Sequence, residues 1–275
     1  MRRIFEVKGR PAHNPLIAHV AGIEQAHALA ILDSRAQRLA EEFWPGPLTL
    51  VLPSRPNSGL ASAVQAGLDT LALRWPAHPV ATAVLEQFGG PVAAPSANPS
   101  GRLSPTSGLH VAEALDGRLS LVLDGGPSVI GLESTIVHLA GSRPVMLRPG
   151  AVTRARLCAA LGEDVATSDG SSERPSAPGQ LLRHYAPARA LRLDVTDCRP
   201  TEAFLAFGEM PLPPCVAALN LSPSGDLDEA AANLFAYLRL LEVEEVTAIA
   251  VAPIPDEGVG SAMSCLLYTS PSPRD

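Results

Sequence analysis

Between residues 48 and 147 the chain carries a succession of apolar runs only three to five residues long, at 48–52, 71–73, 91–94, 119–123, 135–139 and 145–147, each bounded by Gly, Pro or Asp. Runs this short, closed by chain-reversing residues, predict strands, because a helix needs about ten residues to lay an apolar stripe on a core. Helical spacing at 79–88, 109–115 and 154–161 falls between only some of them, so the pattern predicts a mixed α/β sheet and not a strict βαβ series. Upstream, the segment IEQAHALAILDSRAQRLAEEF (23–43) has its apolar residues at helical spacing and is stopped by Trp44-Pro45-Gly46-Pro47, which predicts one long amphipathic helix. Aromatic residues make up 4% of the chain against 46% hydrophobic residues in all. The core must therefore be built from Ala, Val, Leu and Ile, as in sheets covered by helices.

The stretch EDVATSDGSSERPSAPGQ (163–180) is rich in Ser, Pro, Gly and acid and has no apolar period, the composition of a linker. Beyond it, strand-like ALRLDV, AFLAFG and CVAALNLS precede a helical pattern over 226–242 and a last strand-like run at 246–251. That order predicts a small Rossmann-like α/β domain, although no GxGxxG fingerprint accompanies it. The expected division is a first domain over 1–161, a linker over 162–187, a second domain over 188–262, and a tail over 263–275. The tail, ending LLYTSPSPRD, continues no element and resembles translated adapter or vector sequence, so it is expected to lie outside the fold.

With 275 residues the chain can bury a core in each of two domains. Its formal net charge of −7 argues against a main task of gripping nucleic-acid phosphates through a basic face. Cys158, Cys198, Cys215 and Cys265 have no CxxC spacing, so neither a zinc site nor a disulfide framework is indicated, and a reducing cytoplasm fits. No run approaches the length of a membrane span, and RRIFEVKGRP lacks the apolar centre of a signal peptide.

Three clusters hold the residues suited to chemistry. In KGRPAHNPLIAHV (8–20), Lys8, the one lysine of the chain, and Arg10 flank a glycine at a turn. That placement can aim two cations at one oligophosphate, but taken alone the pair reads first as solvated surface charge. In PVAAPSANPSGRLSPT (91–106) a strand runs into a loop of hydroxyls and amides, either a ligand loop at a strand end or a turn-rich connector. In DGGPSVIGLESTIVHL followed by MLRPGAVTR, Ser134 and Thr135 open a strand and Arg148 precedes Pro149-Gly150; each can equally be a strand starter or a surface cation.

Taken together, KGRPAHNPLIAHV, FWPGPLTLVLP, LALRWPAHP, APSANPSGRLSPT, GLESTIVHL and LRPGAVT stand in the order and texture of the YrdC-like family. With APGQLLRHYAPARAL (177–191) as linker, the chain resembles the longer, two-domain threonylcarbamoyl-AMP synthases over roughly residues 2–262. The resemblance implies a YrdC-like twisted mixed sheet with helices, joined to a small Rossmann-like α/β C-terminal domain. It implies a catalytic tetrad of Lys8, Arg10, Ser96 and Asn98. Arg10, Asn14, Thr70, Ser96, Ser104, Arg148 and Tyr185 are expected on the ATP side, and His19, Arg74, Ala94 and Ser134 around threonine. Arg74 suits a bidentate grip on the amino-acid carboxylate.

The activity so implied joins L-threonine, bicarbonate or CO2, and ATP into threonylcarbamoyl-adenylate and pyrophosphate, an intermediate passed to the machinery that modifies tRNA. Mg2+ is expected to arrive on the ATP phosphates, with no protein metal ligands and no general base named. Relatives carry a PTET-like strand and a YGL-like turn before the KGRP segment, so the resemblance implies a chain lacking its N-terminal start and one wall of the threonine pocket. Ile17 and Leu50 are then expected to lack packing partners. The alternatives are a non-catalytic module with weak RNA binding, an inactive fragment, or a carbamoyl-transfer module like that of hydrogenase-maturation proteins, which carry cysteine pairs absent here.

Overall fold

The computed structural model describes residues 1–168, 177–178 and 187–268. Two compact units are formed, each from two stretches of chain: residues 1–95 with 133–181, and 96–132 with 182–275.

The first unit opens with α1 (Arg2–Lys8), β1 (Ile17–His19), α2 (Ile23–Leu29) and α3 (Ser34–Phe43). Residues 23–43 are thus two helices, not the single one their periodicity predicts. Asp33 caps α3 by accepting from the backbone N–H groups of Arg35 and Ala36, which satisfies donors that a continuous helix would have bonded internally. Ala30, in the gap, takes an extended conformation and bridges to Ser54. From α3, Ala36, Leu39, Ala40 and Phe43 point into the core at i, i+3, i+4 and i+7.

Then come β2 (Leu48–Pro53), β3 (Thr70–Arg74), α4 (Pro79–Phe88) and β4 (Val92–Ala93). α5 (Gly108–Ala114) belongs to the second unit, and the first resumes with β5 (Thr135–His138), β6 (Val145–Arg148), α6 (Arg154–Leu161) and β7 (Ala166–Thr167). The strands form one mixed sheet in the order β4-β1-β3-β2-β5-β6-β7. Ile17 and Leu50, expected to lack partners, are both buried: Leu50 in the main core with Leu48, Leu71 and Leu73, and Ile17 against Val51, Ala72, Ile136 and Ala177. Each such side chain, fully withdrawn from water, contributes about 1.5–3 kcal/mol.

The second unit holds α5, β8 (Ala190–Arg192), β9 (Glu202–Ala206), β10 (Ala217–Asn220), α7 (Leu227–Leu240), β11 (Ala248–Val251) and α8 (Gly260–Tyr268). Its four strands are parallel, in the order β10-β9-β11-β8, the small α/β sheet that the sequence predicts. Two expectations fail here. The run at 119–123 forms no strand, and Leu121 and Leu123 stand largely exposed. The part of the tail that is described, 263–268, belongs to the fold, because α8 places Met263, Leu266 and Leu267 in the same core as Leu205, Leu234 and Ile249; residues 269–275 lie outside the described residues. Residues 96–132 join this unit through Leu103 and Leu132 in that core and through Arg239, whose Nη2 donates to the carbonyl of Leu103.

Candidate active site

Strand direction decides which side chains meet in the first unit. β1 runs parallel to β3 with His19 opposite Arg74, and β4 runs antiparallel to β1 with Val92 opposite His19. β2, antiparallel to β3, begins at that same end with Leu48, which lies opposite Thr135 at the start of β5. β6, antiparallel to β5, finishes there with Arg148 opposite Ile136. One end of the sheet therefore gathers His19, Arg74, Ser134 and Arg148 from segments far apart in sequence.

Local structure adds the remaining cations. α1 ends in Gly9, whose left-handed conformation (φ 62°) closes the helix on the carbonyls of Glu6 and Phe5, a geometry that glycine adopts without steric penalty. The turn leaves Lys8 and Arg10 buried on either side of it. Arg10 Nη2 donates to Asn14 Oδ1 at 2.6 Å and to the carbonyl of Pro15 at 2.8 Å, while Asn14 is fully buried with no hydrogen-bond partner on Nδ2. Arg74 is steadied by the turn that ends α3, its Nε donating to the carbonyl of Gly46 at 3.0 Å. Arg148 is held by the segment before β5: Nε and Nη2 donate to the carbonyl of Ser134 at 3.0 and 2.8 Å, Nη2 also reaches Ser134 Oγ at 3.0 Å, and Nη1 is paired with Glu133. Ser134 Oγ also lies 2.8 Å from Thr49 Oγ1, and Thr135 ties the strand start to Val152. Gly150 permits this packing, since a Cβ there would lie 2.4 Å from the carbonyl oxygen of Glu133 and 2.6 Å from the nitrogen of Thr135.

Crowding of cations away from water sets the protonation equilibria. Burial, then Arg10, brings Lys8 from its ordinary 10.5 down to about 8, with Glu133 opposing. Burial, then Arg148, lowers Arg74 to about 10, again with Glu133 opposing. Burial, then Arg74, lowers His19 to about 4, so its imidazole is neutral at pH 7. Such a group of cations suits an anion bearing several charges.

The structure thus brings together Lys8, Arg10, Asn14, His19, Arg74, Ser134 and Arg148. Thr70 does not join them, because it starts β3 while Arg74 ends it, about 13 Å away at about 3.3 Å per residue. Ala94 lies opposite Ile17, two residues in from His19, and its N–H donates to the Ile17 carbonyl. Ser96, Asn98 and Ser104 fall in the second unit, where Asn98 is buried and its Nδ2 donates to the carbonyls of Pro99 and Arg102 at 3.1 and 2.7 Å. Tyr185 lies outside the described residues. Glu133 and Thr49 are members of the site that sequence reasoning missed. The one available signal was an acid directly before the Ser134-Thr135 pair, in a chain where the other candidates are cationic or neutral.

No helix among the described residues is long and apolar enough to cross a membrane. Residues 1–150 match the family model Sua5_yciO_yrdC, described as telomere recombination, and 152–264 match the threonylcarbamoyl-AMP synthase C-terminal domain. The threonylcarbamoyl-AMP synthase of Bacillus subtilis is 46% identical over 70% of this chain, and the aligned part spans 56% of that protein's length. The threonylcarbamoyl-AMP synthase of Pyrococcus abyssi is 39% identical over 96% of this chain and 82% of its own. A crystal structure of P. abyssi Sua5 complexed with L-threonine superimposes with a TM-score of 0.88 at 35% identity, covering 98% of this chain and 85% of that one. The chain belongs to the threonylcarbamoyl-AMP synthase family, in its two-domain form.

Proposed function

We propose that this chain condenses L-threonine, bicarbonate or CO2, and ATP into threonylcarbamoyl-adenylate and pyrophosphate, supplying the machinery that modifies tRNA. The observation that carries the reading is the cluster of buried Lys8, Arg10 and Arg148 with half-buried Arg74 near one end of the sheet in a member of this family. Further support comes from the relative solved with L-threonine.

In this reading the neutral amine of threonine attacks the carbon of CO2 and releases a proton to give a carbamate. A carbamate oxygen then attacks the α-phosphorus of ATP, and pyrophosphate leaves. Arg74 holds the amino-acid carboxylate, with neutral His19 beside it on β1. Lys8, Arg10 and Arg148 neutralise phosphate charge as it redistributes, and the bonds from Gly46, Asn14 and Ser134 hold the guanidinium groups in place before the substrates arrive. Ser134 offers its hydroxyl near threonine. From the resemblance, Ser96, Asn98, Ser104 and Tyr185 serve the nucleotide side and Ala94 lines the threonine side. Thr70 is left out because of its position on β3.

Among the described residues no three His, Cys, Asp or Glu side chains converge as metal ligands, and Glu133 is taken up by Arg148. That donor set does not fit a protein-held Mg2+, so the ion enters only as the companion of the ATP phosphates. Pyrophosphate release by the purified chain, measured with threonine, bicarbonate and Mg-ATP, should fall to background when either threonine or bicarbonate is withheld and when serine replaces threonine. Folded protein whose release is independent of both, and which instead binds RNA with a steep salt dependence, would replace this reading with the RNA-binding one.

A further inference from the structure

We propose that Glu133 is a positioning residue of this site: its carboxylate fixes the guanidinium of Arg148 and sets the positive charge that Lys8 and Arg74 present to an anionic substrate. The inference rests on the synthase reading for the identity of that substrate, but its physical content concerns this chain's own groups.

The geometry is a two-sided grip. Glu133 takes Nη1 of Arg148 while the adjacent carbonyl of Ser134 takes Nε and Nη2, so two consecutive residues hold the guanidinium from both of its sides. Arg148 ends β6 and Glu133 precedes β5, two strands that are hydrogen-bonded neighbours. The grip is therefore built on sheet pairing, with Gly150 giving the backbone room to approach.

The charge balance points to the same residue. Lys8 at the end of α1 faces Arg10 from the following turn and Glu133 from the strand start. Arg74 at the end of β3 faces Arg148 from β6 and again Glu133, with His19 of β1 across from it. Among the described residues, Glu133 is an acid common to both surroundings, and in both it opposes the arginine that pushes the proton off. Without that acid's charge, Lys8 would still face Arg10 but lose the opposing pull of Glu133. It would then lose that proton nearer neutral pH, and with it the attraction for phosphate.

Lys8 is the one lysine of the chain, so labelling lysine with 13C at Cε gives a single side-chain signal whose shift against pH reads its protonation directly. We expect the wild-type midpoint near 8, a midpoint lower by about one pH unit in Glu133→Gln, which corresponds to a tenfold change in proton affinity, and return toward the wild-type value in Glu133→Asp. The alkaline limb of kcat/KM for ATP, which reports groups of the free enzyme, should move down by the same amount in Glu133→Gln and recover in Glu133→Asp. A role confined to holding the fold would lower kcat/KM at every pH and leave both midpoints where they were. An unmoved Lys8 midpoint in Glu133→Gln, with the wild type active, would overturn the assignment of Glu133 and leave the synthase reading intact. A shifted midpoint in a wild type that releases no pyrophosphate with threonine would uphold the charge coupling and refute the synthase reading.

Discussion

Replacing Lys8 by Met should make the protein more stable and less active at the same time. Lys8 is 6% exposed and the proton affinity of its amine falls from 10.5 to about 8, chiefly through burial. At about 1.36 kcal/mol per pH unit, keeping that amine charged inside the fold costs about 3 kcal/mol. Methionine keeps most of the length and carries no charge, so at pH 7 Lys8→Met should gain up to about 3 kcal/mol in unfolding free energy. The sign with pH follows from the lowered folded-state value. Between about 8 and 10.5 the unfolded chain still holds the proton that the folded chain has released, so wild-type stability rises with pH across that window. Lys8→Met lacks this rise, and the two proteins should converge above it. Urea unfolding followed by circular dichroism at pH 7 and pH 10, with equal m-values, measures both quantities. A variant no more stable than wild type at pH 7, or an advantage just as large at pH 10, would refute the claim that a charged amine is buried here at a cost.

The remaining predictions concern the elements that frame the site. Asp33→Ala removes the acceptor for two backbone donors at the start of α3 and should cost about 1 kcal/mol, read as a lower urea midpoint. Gly150→Ala would drive a methyl group against the backbone of residues 133–135, so kcat/KM should drop by at least about tenfold even where circular dichroism shows a folded protein, since small displacements of positioning groups are costly. Met263→Ala in α8, fully buried in the second core, should destabilise by about 2–5 kcal/mol; a negligible change in thermal midpoint would mean that α8 is not part of the folded unit.

Local signals made several elements legible in the sequence alone. The helix over 154–161 starts at the Thr153 cap and stops at left-handed Gly162, and the helix over 79–88 starts with Pro79 and stops at Gly89; each boundary is written in one or two adjacent residues. The break between α2 and α3 was not legible, because the apolar spacing runs on through Ile31 and Leu32. What ends α2 is partly the bridge from Ala30 to Ser54, a residue on the far side of a strand. The run at 119–123 has the composition of a strand but no ladder to join, and composition supplies only half of a strand.

By itself, the sequence determined the α/β class, most strand positions and the family, since these follow from local period and from motifs. Tertiary structure alone decided which ends of the strands meet. It set Thr70 apart from Arg74 although both lie on β3, and it brought Glu133 among cations drawn from residues 8, 74 and 148. The physical reason is that a charge balance belongs to groups near one another in space. Sheet order and strand direction, which depend on hydrogen bonds between distant segments, determine who those neighbours are.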